Sequence, residues 1–194
     1  MGALDLFLDL AAMASPSGEE RPVADRVAAE LRELGLDVDE DGAGAEIGGG
    51  TGNLYARLEP TVDGKPLFLC SHMDTVPPTG PIEPVVEDGV VRNAGGTILG
   101  ADNKSAVVAM VETARRVVER RIPQAGLELL FTPKEEVGLR GAQAFDCSRF
   151  NSSFVRHYQP PRGRFVANHD CDLRVRNRPC ADRVNEGEHV RAST

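Results

Sequence analysis

Two short apolar runs, separated by an amphipathic segment of helical length, constrain the fold of this chain most strongly. Leu67–Ser71 is apolar up to its last residue, and Leu127–Thr132 has a similar composition. Such runs are typical of strands covered on both faces of a sheet. Between them, the segment Asn103–Arg120 has one helical stripe of apolar residues, made of Val107, Met110, Val111, Ala114, Val117 and Val118. This alternation predicts an α/β fold, a three-layer sandwich with a largely parallel (mixed) sheet.

The N-terminal third predicts one further helix and two short strands. Ser17–Glu20 has the form of a helix capping box, and apolar residues then recur at helical spacing until Gly35. Pro22 fits poorly inside that cap, so the helix is expected to begin a residue or two later. The glycine-rich segment 42–52 lacks the spacing of a nucleotide-binding loop, and we interpret it as a link between strands near 36–38 and 53–58.

Composition excludes several classes of protein. The net charge of −8 disfavours nonspecific binding to nucleic acid or to anionic lipid. No apolar run approaches the length of a membrane span, and no export signal is recognisable. The four cysteines form no CxxC pair, which favours a reducing, cytoplasmic location.

Chemically capable residues follow the predicted buried strands and open the long helix. His72 and Asp74 end the first strand, Asp102 stands at the start of the helix, and Glu135 and Glu136 follow the second strand. Each group alone has a structural explanation: a hydrogen-bonded strand end, a helix N-cap, or a solvated acidic loop. Because the carboxyl ends of parallel strands share one edge of a sheet, we expect all five side chains to meet there.

The motifs that hold these residues resemble those of one peptidase family. SHMDTVPP, GGTILGADNK and FTPKEEVGLRGA are similar to motifs of the dinuclear zinc M20 metallopeptidases, most closely to the peptidase T branch, which removes N-terminal residues from tripeptides. The resemblance covers about Leu4–Ser153. It implies a metal-dependent exopeptidase acting on small peptides, and a chain that forms part of a zinc-exopeptidase catalytic domain.

The resemblance also implies a role for each candidate residue. His72 would ligate one zinc ion, Asp102 would bridge two, and Glu136 would ligate the other. Asp74 would orient His72, and Glu135 would act as the general base. Cobalt or manganese could serve in place of zinc.

Several features of the family have no counterpart in this sequence. The resemblance places a further acidic ligand beyond Glu136, where the chain has 158–162, YQPPR, and a late histidine ligand and a dimerisation domain are also missing. His169, Asp170 and Asp172 are ligand types in an unrelated context. We therefore expect a catalytically incomplete chain, and the alternative is a non-catalytic fragment or a binding module with a vestigial metal rim.

Residues 154–194 differ in character from residues 1–153, which we assign to the catalytic domain. From Val155 onward the chain has eight arginines, no lysine, three of the four histidines and no sustained periodicity. This change predicts an arginine-rich tail that is not native to the fold, as a shifted reading frame in a GC-rich gene would produce.

Overall fold

The computed structural model describes residues 2–150 and the strand backbone of 155–157. The predicted tail therefore lies outside the described residues, apart from that strand. In the described part, no helix is both long and apolar enough to span a membrane.

Helices and strands alternate through the described chain. The helices are α1 (Ala3–Ala12), α2 (Arg21–Glu33), α3 (Ala43–Ile47), α4 (Ala101–Glu119) and α5 (Arg140–Ala144), with a 3-10 turn at Cys147–Arg149. The strands are β1 (Val38–Glu40), β2 (Leu54–Leu58), β3 (Leu67–His72), β4 (Pro84–Glu87), β5 (Val90–Asn93), β6 (Leu127–Thr132) and β7 (Val155–His157). The predicted strand–helix–strand unit is β3, α4 and β6.

The sheet is mixed, as the sequence predicts. Its order is β1-β2-β6-β3-β7; β1 and β6 are antiparallel to β2, whereas β6 and β7 are parallel to β3. In the β3–β6 register His72 lies opposite Thr132. The carboxyl ends of these two strands therefore meet at one edge, while β4 and β5 form a separate hairpin between β3 and α4.

The two faces of the sheet are covered unequally. α1, α2 and α4 cover one face, and their apolar side chains pack with β6 residues such as Leu129 and Phe131, both fully buried. The other face holds a smaller aromatic cluster in which the rings of Phe68 and Phe150 have centroids 4.2 Å apart. Burial on both faces explains why β6 is apolar at almost every position.

In the N-terminal third, the predicted cap at Ser17 was wrong, and the predicted link between β1 and β2 is confirmed but contains a helix. Ser17 does not cap α2, because its hydroxyl donates a hydrogen bond to Asp74 and the helix begins at Arg21, with Pro22 in its first turn. The glycine-rich segment 42–52 is more than a turn, since it contains α3. Gly48 ends that helix with φ of 66°, a conformation that glycine adopts at low cost.

A buried ion pair links α2 to the long helix α4. The side chain of Glu30 is buried and accepts hydrogen bonds from Arg26, at 2.6 Å, and from Arg115. Burial alone would raise the pKa of Glu30, but the two guanidinium groups outweigh it and lower that pKa. The pair holds in register two helices that cover the same face of the sheet.

We predict that Glu30→Gln lowers the free energy of unfolding at neutral pH by about 1–3 kcal/mol, because two partly buried guanidinium groups lose a charged, buried acceptor. The pKa of Glu30 is lower in the folded state than in the unfolded state. Its contribution is therefore present above the ordinary carboxyl pKa of 4.5 and is lost as the pH falls through the folded value. Urea denaturation of both proteins, at neutral pH and well below 4.5, measures this difference.

Asp25→Asn provides the matched control for this prediction. Asp25 lies on the same helix in an exposed pair with Arg21, so the change should cost no more than about 0.5 kcal/mol. An equal cost for the two variants at neutral pH would contradict a stabilising role for the Glu30 pair.

Candidate active site

His72 ends β3 with its ring almost completely buried. Its Nδ1 lies 2.8 Å from the backbone carbonyl oxygen of Asp74 and 3.4 Å from Oδ1 of the same residue. A carbonyl oxygen can only accept, so Nδ1 carries the proton and donates it. In the neutral ring, Nε2 is then the nitrogen with a lone pair, as a metal ligand requires.

Asp74 connects His72 to the acidic loop after β6. Its carboxylate is fully buried and accepts hydrogen bonds from the Ser17 hydroxyl at 2.6 Å and from the backbone amides of Glu135 at 2.8 Å and Glu136 at 3.1 Å. Burial would raise its pKa, but these donors and His72 outweigh that effect and lower it. The carboxylate therefore stays charged and holds the loop against the strand end.

Glu135 and Glu136 extend their side chains towards the same ring. One oxygen of each and one ring nitrogen of His72 all lie within 4.8 Å of one another. Glu135 is half-buried and Glu136 is exposed. The pKa of Glu136 is raised, first by burial of its carboxyl group and then by the charges of Glu135, Asp102 and Asp74, against the lowering effect of His72.

Asp102 reaches this group from the start of α4. The backbone of Asp102 and Asn103 is not helical. The regular helix is therefore interrupted in its first turn, at the residue that carries the acidic side chain. Oδ1 of Asp102 lies 3.4 Å from Nε2 of His72, and the side chain is 61% exposed. All five residues selected from the sequence therefore lie at one edge of the sheet.

The charges at this edge favour a cation. Burial opposes protonation of His72, but Asp102 and Asp74 outweigh it and raise its pKa to about 10. An imidazole nitrogen grouped with one oxygen each of Glu135 and Glu136, with the Asp102 carboxylate 3.4 Å from the same imidazole, is a donor set typical of a divalent transition metal. The side chains of His72, Asp102, Glu135 and Glu136 therefore fit a metal site.

Two residues that support the site were not recognised in the sequence. Ser17 and Glu20 have the pattern of a capping box, but Ser17 donates to Asp74, and Glu20 accepts from the backbone amide of Lys134. The one available signal was Pro22, which disagrees with a cap at Ser17. The position of Pro22 indicated that Ser17 and Glu20 do not cap the helix, but it did not indicate what they bind instead.

Comparisons with known proteins identify the fold and the family. The family model "Peptidase family M28" matches residues 53–182. The chain is 35% identical to aminopeptidase PepT from Bacillus cereus and to a tripeptidase from Staphylococcus aureus, each with a TM-score of 0.75, covering 80% of this chain and 42% of theirs. It shares only its fold with a dinuclear metal-binding M20 peptidase from Bacillus subtilis (17% identity, TM-score 0.51, covering 70% of this chain and 35% of that one).

The curated relatives are also longer than this chain. The protein YqjE of Bacillus subtilis is 38% identical over 151 residues, which are 78% of this chain and 41% of YqjE. The match therefore extends over most of this chain but less than half of the relative. The chain belongs to the peptidases that the M28 family model describes, and among them it is similar to peptidase T proteins.

Proposed function

We propose that this chain carries part of the active site of a metal-dependent exopeptidase that hydrolyses small peptides. The observation that carries the proposal is the meeting of His72, Asp102, Glu135 and Glu136 at the edge where β3 and β6 end. The names of PepT and of the tripeptidase support a tripeptide aminopeptidase-like substrate class. A small peptide is thus the proposed substrate.

His72, Asp102 and Glu136 would hold the metal, which we propose to be zinc, with cobalt or manganese as substitutes. The Nδ1 hydrogen bond of His72 to Asp74 leaves Nε2 for ligation, and Asp102 has two carboxylate oxygens with which to serve two ions. Divalent ions bound there would supply the Lewis acidity that makes a water molecule acidic at neutral pH.

Glu135 is the proposed general base. It is half-buried beside His72, and the hydrogen bond of its backbone amide to Asp74 fixes the backbone from which its carboxylate extends. In the proposed reaction Glu135 accepts a proton from the attacking water and passes a proton to the departing amine of the peptide. Asp74 does not react; it positions His72 through its carbonyl and the acidic loop through its carboxylate.

The described residues supply fewer ligands than two zinc ions require. His72, Asp102 and Glu136 are three protein ligands if Glu135 serves as the base, whereas one catalytic zinc ion usually takes three by itself. His169, Asp170 and Asp172 lie outside the described residues. We therefore propose that this chain alone binds divalent metal weakly and hydrolyses peptides negligibly.

A cytoplasmic location is part of the proposal. Within the described residues, Cys70 is a buried free thiol and Cys147 is a partly buried one. Free thiols are the usual state of cysteine in a reducing compartment.

We predict that calorimetric titration of this chain with zinc shows weak binding and no pair of tight stoichiometric sites. His72→Ala should weaken the remaining affinity at least about tenfold, because it removes the nitrogen ligand. Glu87→Gln is the control, since Glu87 is an exposed acid on the β4–β5 hairpin. Two tight sites in the unaltered chain would refute the proposed shortage of ligands, and equal binding by the His72 and Glu87 variants would refute the site.

The catalytic role of Glu135 needs a protein of full length. In a chimera, residues 2–150 replace the segment of Bacillus cereus PepT that they match. We predict metal-dependent hydrolysis of tripeptides by this chimera. Glu135→Gln should lower kcat by about 10²- to 10⁴-fold, the usual effect of losing a general base, while the zinc content stays unchanged.

The chimera also separates the exopeptidase from a binding module with a vestigial rim. A chimera that folds and retains zinc but does not cleave tripeptides would contradict the exopeptidase proposal. Turnover that survives Glu135→Gln within about tenfold would leave the site intact but would exclude Glu135 as the base.

A further inference from the structure

Three successive backbone amides of the acidic loop are bound by two buried carboxylates. Asp74 accepts from the amides of Glu135 and Glu136, and Oε1 of Glu20 accepts from the amide of Lys134 at 3.1 Å. The same oxygen of Glu20 accepts from the amide of Gly18 at 2.7 Å. Asp74 and Glu20 are both 0% exposed.

The side chain of Glu20 is not explained by the helix that it precedes. Glu20 occupies the N-cap position of α2, but its side chain caps no amide of that helix and turns towards Lys134 instead. Its Oε2 is buried and makes no hydrogen bond within the described part of the chain. A buried carboxylate with one unsatisfied oxygen is costly, so the fold of α2 alone gives no reason to keep an acid there.

The backbone that Glu20 holds is in an unfavourable conformation. Lys134 has φ of 56°, in the left-handed region that side chains other than glycine rarely adopt. Lys134 directly precedes Glu135, so relaxation of its backbone would shift both acidic side chains relative to His72. A hydrogen bond from the Lys134 amide to a fixed, buried acceptor opposes that relaxation.

We propose that Glu20 is a positioning residue for the metal and base carboxylates of Glu136 and Glu135. It acts through the backbone of Lys134, in parallel with Asp74, and touches neither metal nor substrate. The inference rests on the proposed function, because positioning matters only if the acidic pair is used.

Amide hydrogen exchange in the metal-free chain tests the positioning role directly. Glu20→Ala removes the acceptor and should speed exchange at the Lys134 amide about tenfold or more, because the loop opens locally. Glu20→Gln keeps an oxygen acceptor of the same length and should leave that exchange close to the wild-type rate. Glu19→Ala is the matched control, since Glu19 is the exposed neighbour of Glu20.

Zinc affinity, measured on the same set of proteins, tests whether the order of the acidic loop affects metal binding. Glu20→Ala should weaken binding by about 10- to 100-fold, the usual effect of losing a group that orients a ligand. Glu20→Gln should restore most of the affinity. A merely structural role would lower the free energy of unfolding without this selective loss, so urea denaturation of each variant is measured alongside.

A different comparison applies if Glu20→Ala does not fold. Glu20→Asp keeps the charge but withdraws the acceptor by one methylene, and it should exchange faster at Lys134 and bind zinc more weakly than Glu20→Gln. Equal exchange at Lys134 in all folded variants would overturn the inference. If exchange responds as expected but the wild-type chain binds no zinc, Glu20 orders the loop and the proposed function fails instead.

Discussion

The site depends on one buried carboxylate, that of Asp74. Its backbone carbonyl fixes the tautomer of His72, and its side chain holds the amides of Glu135 and Glu136. Asp74, two residues beyond the end of β3, therefore connects His72 to the acids that follow β6. An uncompensated buried charge would be strongly unfavourable, and Asp74 is tolerated because donors surround it. The same donors that make its burial acceptable are the groups whose positions the site requires.

The sheet brings the two halves of this arrangement together. Because β3 and β6 are parallel neighbours, His72 lies level with Thr132, and both chains leave the sheet at the same edge. α4 connects these strands and begins at that edge, which places Asp102 beside the imidazole of His72. Strand direction and register therefore determine which side chains meet at this edge of the sheet. Reversing either strand would place His72 and the acidic pair at opposite ends of the sheet.

Sequence reasoning succeeded where pattern and topology carry the information. The apolar runs at β3 and β6 and the stripe on α4 identified the layers, and the five candidate residues were selected because parallel strands share a carboxyl edge. Sequence reasoning did not find the roles of Ser17 and Glu20. Their polar side chains fit a local capping box, but the same atoms make long-range contacts in the structure. Ser17 lies 57 residues from Asp74, and Glu20 lies 114 residues from Lys134. Contacts over such separations leave no periodic signal in one sequence.

Burial divides the candidate site into enclosed side chains and side chains that reach solvent. Asp74 and Glu20 are completely enclosed and His72 nearly so, whereas Glu136 and Asp102 reach solvent. Enclosed carboxylates bonded to amides have few alternative rotamers, so they impose their geometry on the loop. The exposed carboxylates are the ones that an ion or a peptide can approach. Their mutual repulsion costs least when a cation lies among them, and the hydrogen bonds of the enclosed groups to the loop amides oppose a movement that would separate the charges. The protein thus keeps its negative charges close together at the one edge where bound cations would compensate them.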